Sequence, residues 1–199
     1  ANGVLTIGPG ITVRGGTGTI GYNAYIGGPS TVSVVNQGTI SADETGTITV
    51  NGASVTNAGT FSVAAGAAHT KPAGLTNLVA GTLTGGVYQV YANSTLRVIS
   101  PSSILVNAAT ILLDGATANI YRDTGTTSIL NDFTTNATAG SLTIRNGRRL
   151  VTTGSLINSG ILEVGSGSVL QPNGAFTQTD GSFLLDGGTL GPATLPPGT

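Results

Sequence analysis

Three short stretches of this chain read alike: "VNQGTI" at residues 35–40, "TNAGTF" at 56–61 and "INSGIL" at 157–162. Each places Asn, a variable residue and Gly directly ahead of a run that favours β-structure. A variant without the glycine, "VNAATILL", starts at residue 106. The step from Asn36 to Asn57 is short, whereas those from Asn57 to Asn107 and from Asn107 to Asn158 are more than twice as long and nearly equal. The longer steps fit two and a half turns of about 20 residues or two turns of about 25, so the repeat is loose, about 18–25 residues. A hairpin sandwich gives turn signals every 8–12 residues or so and no longer register. A chain that winds once per repeat, stacking each winding on the last about 4.8 Å away, gives this longer one.

The segments between the turns agree. Runs such as "TVSVV", "GTITV", "TFSVA", "TLRVI", "TILLDG" and "SLTIR" are short, rich in Val, Ile and Thr, and bounded by Gly, Asn, Asp or Ser. That is the signature of short strands. Apolar residues never recur at helical spacing over three turns, and the best candidate for one turn of helix is "SILNDFTT" at 128–135. The expected fold is all-β: a single-stranded parallel β-helix of about 8–10 coils with little or no helix. It forms one domain over residues 1–199, with 191–199 a Pro-rich extended C-terminal segment.

In such a coil the repeated residues have structural work at the corner. Glycine turns through φ > 0 without steric cost and Asn tolerates it. A buried Asn amide donates to one coil and accepts from the next. Asn36, Gly38, Asn57, Gly59, Asn107, Asn158 and Gly160 are therefore the expected turn and ladder residues, with Val, Ile and Leu inward and Thr and Ser outward.

The Asn-x-Gly repeats, together with "GSFLLDGGTL" at 181–190, resemble the right-handed parallel β-helix repeats of bacterial secreted surface proteins, the autotransporter passengers and filamentous-haemagglutinin-like adhesins. The resemblance covers most of the chain by texture and carries over no site residue. It implies export, an elongated rod, and a role in adhesion, surface scaffolding or fibre formation.

Composition narrows the remaining chemistry. Charged residues are 8% of the chain, against about 25% in an average soluble domain, and the net charge is −1. Nothing in bulk attracts nucleic acid or an anionic membrane. Cysteine is absent, which removes thiolate metal sites, disulfides and Cys nucleophiles. No apolar run is long enough to suggest a membrane-spanning helix.

Individual motifs carry less. Residues 16–21 spell a formal G-x-G-x-x-G, but "YNAYIGGPS" follows where a dinucleotide site needs a helix. At one coil per about 18–20 residues, Asp114 is expected near Asp132, with Arg122 and Asp123 on an adjoining loop; this is the best acid and base cluster for a polysaccharide-cleaving β-helix. It lacks the paired acids and the His-Gly and Arg-x-Lys segments of polygalacturonase-like hydrolases. His69, the sole histidine, is expected in a surface loop. "RNGRR" supplies a candidate anionic-ligand patch in Arg145, Arg148 and Arg149. Tyr22, Tyr25, Tyr88, Tyr91 and Tyr121 are candidate sugar-stacking rings, although Tyr88 and Tyr91 fall on opposite faces of a straight strand. Thr-x-Thr pairs at 17/19, 47/49, 82/84 and 177/179 raise ice binding, but their spacing does not match one coil.

No catalytic residue, metal or cofactor is assigned. The expected protein is a non-enzymatic extracellular structural or adhesive β-solenoid at the cell surface. A carbohydrate-active or carbohydrate-binding β-helix (lyase- or hydrolase-like) is the first alternative, and an ice-binding solenoid the second. No capping helix is evident at either terminus, so the end coils are expected to meet another copy head to tail or neighbouring repeats of a longer rod. Surface glycans are the further candidate partner; nucleic acid and membrane insertion are not expected.

Overall fold

The structure is a computed structural model that describes residues 3–64 and 66–191, with backbone alone for 68–73. The proline-rich C-terminal segment lies, from residue 192 onward, outside the described residues. Among the described residues all regular structure is β, and no helix forms. Of residues 128–135, expected to make a helical turn, 128–134 run through irregular turns instead and Thr135 opens a strand. Ile129, Leu130 and Phe133 are drawn into the core from there.

The chain is a parallel β-solenoid. Strands Thr12–Gly15, Thr39–Ala42, Thr60–Val63, Thr82–Tyr91, Val106–Asp114, Ser141–Arg145, Ile161–Gly165 and Ser182–Asp186 stack in parallel to form the broadest face. A second face opens with Val4–Ile7, Ser33–Asn36 and Ser54–Asn57. Its column resumes higher up with Thr135–Asn136, Leu156–Asn158 and Phe176–Gln178. The third face runs from Gly18–Gly21 through Thr47–Asn51, Ala68–Ala73 and Thr95–Ile99 to Asn119–Arg122. A separate three-stranded sheet of Arg149–Thr152, Val169–Pro172 and Thr189–Leu190 lies in the upper part.

Each strand is short because each face is narrow, and alternation does the sorting. In Ser33–Asn36, Thr39–Ala42, Ser54–Asn57 and Thr60–Val63 every second side chain is buried and the others face out. Period-two patterning thus puts Val34, Ile40, Val55 and Phe61 inside and Ser and Thr outside. One inner row shows the stacking: Val13, Ile40, Phe61, Tyr88, Ile111, Leu142, Leu162 and Phe183 stand directly over one another. Phe61 and Tyr88 meet edge to face with ring centroids 6.1 Å apart. Each fully buried aliphatic or aromatic side chain contributes about 1.5–3 kcal/mol, so the rows are the main source of stability.

The row spans about seven turns, fewer than the eight to ten expected. Its members are unevenly spaced along the chain, because extra chain leaves the stack at the corners. The step from Leu142 to Leu162 is the shortest and that from Ile111 to Leu142 the longest. One insertion is the loop 22–32. Another is a hairpin pairing Leu78 with Leu83 and Val79 with Thr82, the one antiparallel strand pair among the described strands. Its turn residues Ala80 and Gly81 have φ of 49° and 81°, the left-handed geometry that a two-residue hairpin requires. The third is the loop 123–134.

Candidate functional site: the amide ladder and the open ends

The repeated asparagines form one buried column. Asn36 Nδ2 donates to Asn57 Oδ1 at 2.8 Å. Asn77 continues the column: its Oδ1 accepts from Asn57 N at 2.7 Å and its Nδ2 donates to Asn57 O at 2.9 Å. The hairpin then interrupts the column, and Leu83 occupies the position beneath Asn107. Above it, Asn107 Nδ2 donates to Asn136 Oδ1 at 2.9 Å, Asn136 Nδ2 to Asn158 Oδ1 at 2.7 Å, and Asn158 Nδ2 to Gln178 Oε1 at 2.9 Å. Asn36, Asn57, Asn107, Asn136 and Asn158 are fully buried. Each amide satisfies its neighbour, which is what allows so much polarity in the core. The repeat pattern picked out Asn36, Asn57, Asn107 and Asn158 and missed Asn77, Asn136 and Gln178.

The ladder has a direction and a foot. In four of the rungs described, the lower Nδ2 donates to the side-chain oxygen above. The coil beneath Asn36 offers Ile7 in register, so Asn36 Oδ1 is buried without a partner. Ile7→Asn supplies the missing donor. Loss of isoleucine burial costs about 1.5–3 kcal/mol, and satisfying a buried acceptor returns about 1–3 kcal/mol. The expected net change in urea-unfolding stability is within about 1 kcal/mol of zero. Val34→Asn, which gains no such partner, is expected to cost several times more.

The glycines of the repeat do a different job from the one the sequence suggested. Gly38, Gly59 and Gly160 do not have positive φ. They are there because successive corners touch. A Cβ on Gly59 would lie 2.1 Å from Gly38 O, and one on Gly160 would lie 2.2 Å from Gly140 O. Gly38 meets Ile11 O in the same way, at 2.2 Å.

The fold separates Asp114 from Asp132, Arg122 and Asp123, while Arg122 lies 3.9 Å from Asp123 and is linked to Asp132 through Ser103. Asp114 stands in register with Arg145, which grips it through Nε at 2.9 Å and Nη2 at 2.8 Å, and Asn146 also donates to it. That contact holds the Arg145 guanidinium above its ordinary pKa, the hydrogen bond to Asp114 being the main cause. Asp132 instead accepts from Ser103 Oγ at 2.8 Å and Thr153 Oγ1 at 3.2 Å, and Arg122 reaches Ser103 rather than Asp114. Asp123 accepts from Ser100 N. Asp114 and Asp132 therefore share no partner.

The three arginines of residues 145–149 diverge likewise. Arg148 is buried, with its Nη2 on Asn119 Oδ1 at 2.7 Å and its Nε unpartnered; burial lowers its pKa. Arg149 turns outward to Gln171. Only Arg145 and Arg149 reach the surface, and each is already engaged.

The remaining motifs fall into the scaffold. Tyr88 is core, where burial raises its pKa and the Asn57 side chain lowers it in part. Tyr91 and Tyr22 are half-buried, Tyr121 lies under the Arg97 guanidinium at 5.3 Å, and Tyr25 stands fully exposed on the loop 22–32. His69 lies on strand Ala68–Ala73, between Ile48 and Leu96 in register, and not in a loop. Thr19 and Thr49 stack on the third face, whereas Thr82 and Thr177 lie on other strands, so the Thr-x-Thr pairs form no single flat rank. The glycines at 16–21 lie on or beside strand Gly18–Gly21, which leads to a loop rather than a helix. Among the described residues no three His, Cys, Asp or Glu side chains gather closely enough to hold a metal ion.

What stays open is the two ends of the stack. Among the described residues, Val4–Ile7, Thr12–Gly15 and Gly18–Gly21 pair on one side only, and so do Phe176–Gln178, Ser182–Asp186 and Thr189–Leu190. Val4, Leu5 and Ile11 are exposed at one end, Leu184 and Leu185 at the other. A groove of about 170 Å³ between Pro172, Gly174, Phe176, Leu190 and Gly191 lies at the upper end. Among the described residues these features define a parallel β-solenoid whose end strands are paired on one side. No known protein family, curated protein or solved structure matches the chain.

Proposed function

We propose that the chain is a non-enzymatic, exported β-solenoid that serves as a structural or adhesive rod at the cell surface, its open ends continuing onto further parallel coils. The observation that carries this reading is the contrast between ends and sides. Among the described residues, three strands at each tip have unused backbone groups beside exposed apolar residues, and unpaired strand edges of this kind template further strands. Along the sides, Asp114, Asp132, Arg145, Arg148 and Arg149 are taken up in bonds that join one coil to another. The chain's sparse charge leaves a Thr-, Ser- and Asn-rich flank suited to close lateral contact with glycans or other surface polymers.

The test combines electron microscopy with a polysaccharide panel. Negative-stain images of the purified chain should show narrow rods, and incubation with acidic and neutral polysaccharides should leave viscosity and reducing ends unchanged. Release of reducing ends that disappears in Asp114→Ala or Asp132→Ala would sink the reading in favour of an enzyme.

A further inference from the structure

The two tips are built from the same parts in the same phase. Phe176–Gln178 tops the column that Val4–Ile7 begins, since Gln178 stands over Asn158 and Ile7 under Asn36, both ladder positions. Ser182–Asp186 tops the column that Thr12–Gly15 begins, with Phe183 and Val13 at the two extremes of one inner row. A second copy set one turn higher therefore meets the last coil as another coil would.

The side chains and backbone fit this placement. Leu185 is 47% exposed at the top of its inner row, and the foot of that row is Gly15, around whose Cβ position no atom lies within 4 Å. A large side chain thus faces a vacant one. Within the stack, Asn158 O accepts from Thr179 N at 2.9 Å, and Gly160 O from Ser182 N at 2.9 Å. One turn on, Gln178 O and Gly181 O are placed to accept from Gly8 N and Thr12 N of the copy above. Charge does not oppose the contact: Arg14, the one charged residue of 3–21, is paired with Asp43 at 2.7 Å, and the acids of 176–191 are Asp180 and Asp186.

We propose that a second copy of this chain docks its first coil on the last coil, with Gln178 over the copy's Ile7, Ser182 over its Thr12 and Phe183 over its Val13. The contact is heterologous, so repetition gives an open polar filament. The inference rests on the rod reading above and names the partner and register of its ends.

Cysteine cross-linking reads the register directly, because the native chain has no cysteine. Thr12 and Ser182 are exposed and outward, so Thr12→Cys and Ser182→Cys leave the core intact. Opposed residues on neighbouring strands lie about 4.8 Å apart, within disulfide reach. Mixing the two single variants under mild oxidation should give a disulfide dimer containing one of each, and the double variant a ladder of covalent multimers. Thr12→Cys with Phe183→Cys, on opposite faces, should give at least tenfold less. Sedimentation of the wild type should show mass rising with concentration, and Leu185→Arg should abolish the rise. A wild type that stays monomeric overturns the proposal. So does association that cross-links Thr12→Cys to itself or favours the mismatched pair. Those outcomes leave the rod reading to its polysaccharide test, just as polysaccharide cleavage would end that reading while leaving the cross-link result standing.

Discussion

Asn136→Leu should destabilise the solenoid by about 4 kcal/mol, from one stranded buried acceptor and two further hydrogen bonds lost. Asn136 sits in the middle of the upper ladder. It accepts from Asn107, donates to Asn158 Oδ1, and also donates to Ile161 O at 2.9 Å. Leucine matches its size and removes all three contacts. Asn107 Nδ2 keeps Ala109 O and Ser141 O, so it is not stranded. Asn158 Oδ1 loses its donor inside a fully buried site, and Ile161 O loses its side-chain partner. The stranded Asn158 acceptor costs about 1–3 kcal/mol, and each of the other two lost bonds about 1 kcal/mol. For a chain of this size that total corresponds to a fall in Tm of roughly 8–16 °C. Thermal unfolding followed by circular dichroism measures it. A fall under about 3 °C would mean that the column is ornamental and the apolar rows alone set the register.

Gly160→Ala is the second large expected effect, about 3 kcal/mol, from overpacking rather than a lost bond. The added carbon would meet Gly140 O at 2.2 Å and Ala137 O at 2.3 Å, both backbone atoms of the coil below. No flexible side chain is there to give way, so two coils must separate locally. Gly154→Ala is the control. Nothing lies within 4 Å of its Cβ position and its φ is not positive, so the substitution should be neutral or stabilise by about 0.5 kcal/mol through the unfolded chain. Urea unfolding of the pair separates glycine needed for contact from glycine present by composition.

The fold was legible because strand alternation and the Asn-x-Gly corners are both local. Val34-x-Asn36 and Ile40-x-Ala42 announce an inward pair on each side of a turn, and the turn announces itself by its glycine. The ladder was half legible for the same reason. Asn77 is followed at once by the hairpin, Asn136 is separated from its glycine, Gly140, by a longer corner, and the top rung is Gln178. Each departs from the motif while keeping the geometry. The long steps from Asn57 to Asn107 and from Asn107 to Asn158 each hid one of these rungs.

The acid cluster failed on coil length. A coil of about 18–20 residues would pair Asp114 with Asp132. The turn from Ile111 to Leu142 is the longest in the row, and it brings Asp114 to Arg145 instead. Insertions at corners leave no periodic trace in sequence. The open tips were anticipated only as a lack of capping signals. Their matching phase needed the register of every strand between them.

The hairpin at Leu78–Leu83 is tied off where it leaves the stack. Thr84 N donates to Asn77 O at 2.8 Å, and Asn77 Nδ2 donates to Thr84 O at 2.7 Å. That knot uses backbone carbonyls, a backbone amide and one ladder side chain, none of which belongs to the protruding segment. Only the tip of the hairpin is interchangeable, because Leu83 is buried beneath Asn107 and Gly81 O accepts from Leu105 N and Val106 N of the next coil. A foreign epitope or a small folded module spliced between Val79 and Ala80 would ride on the flank without disturbing the pitch of the spool.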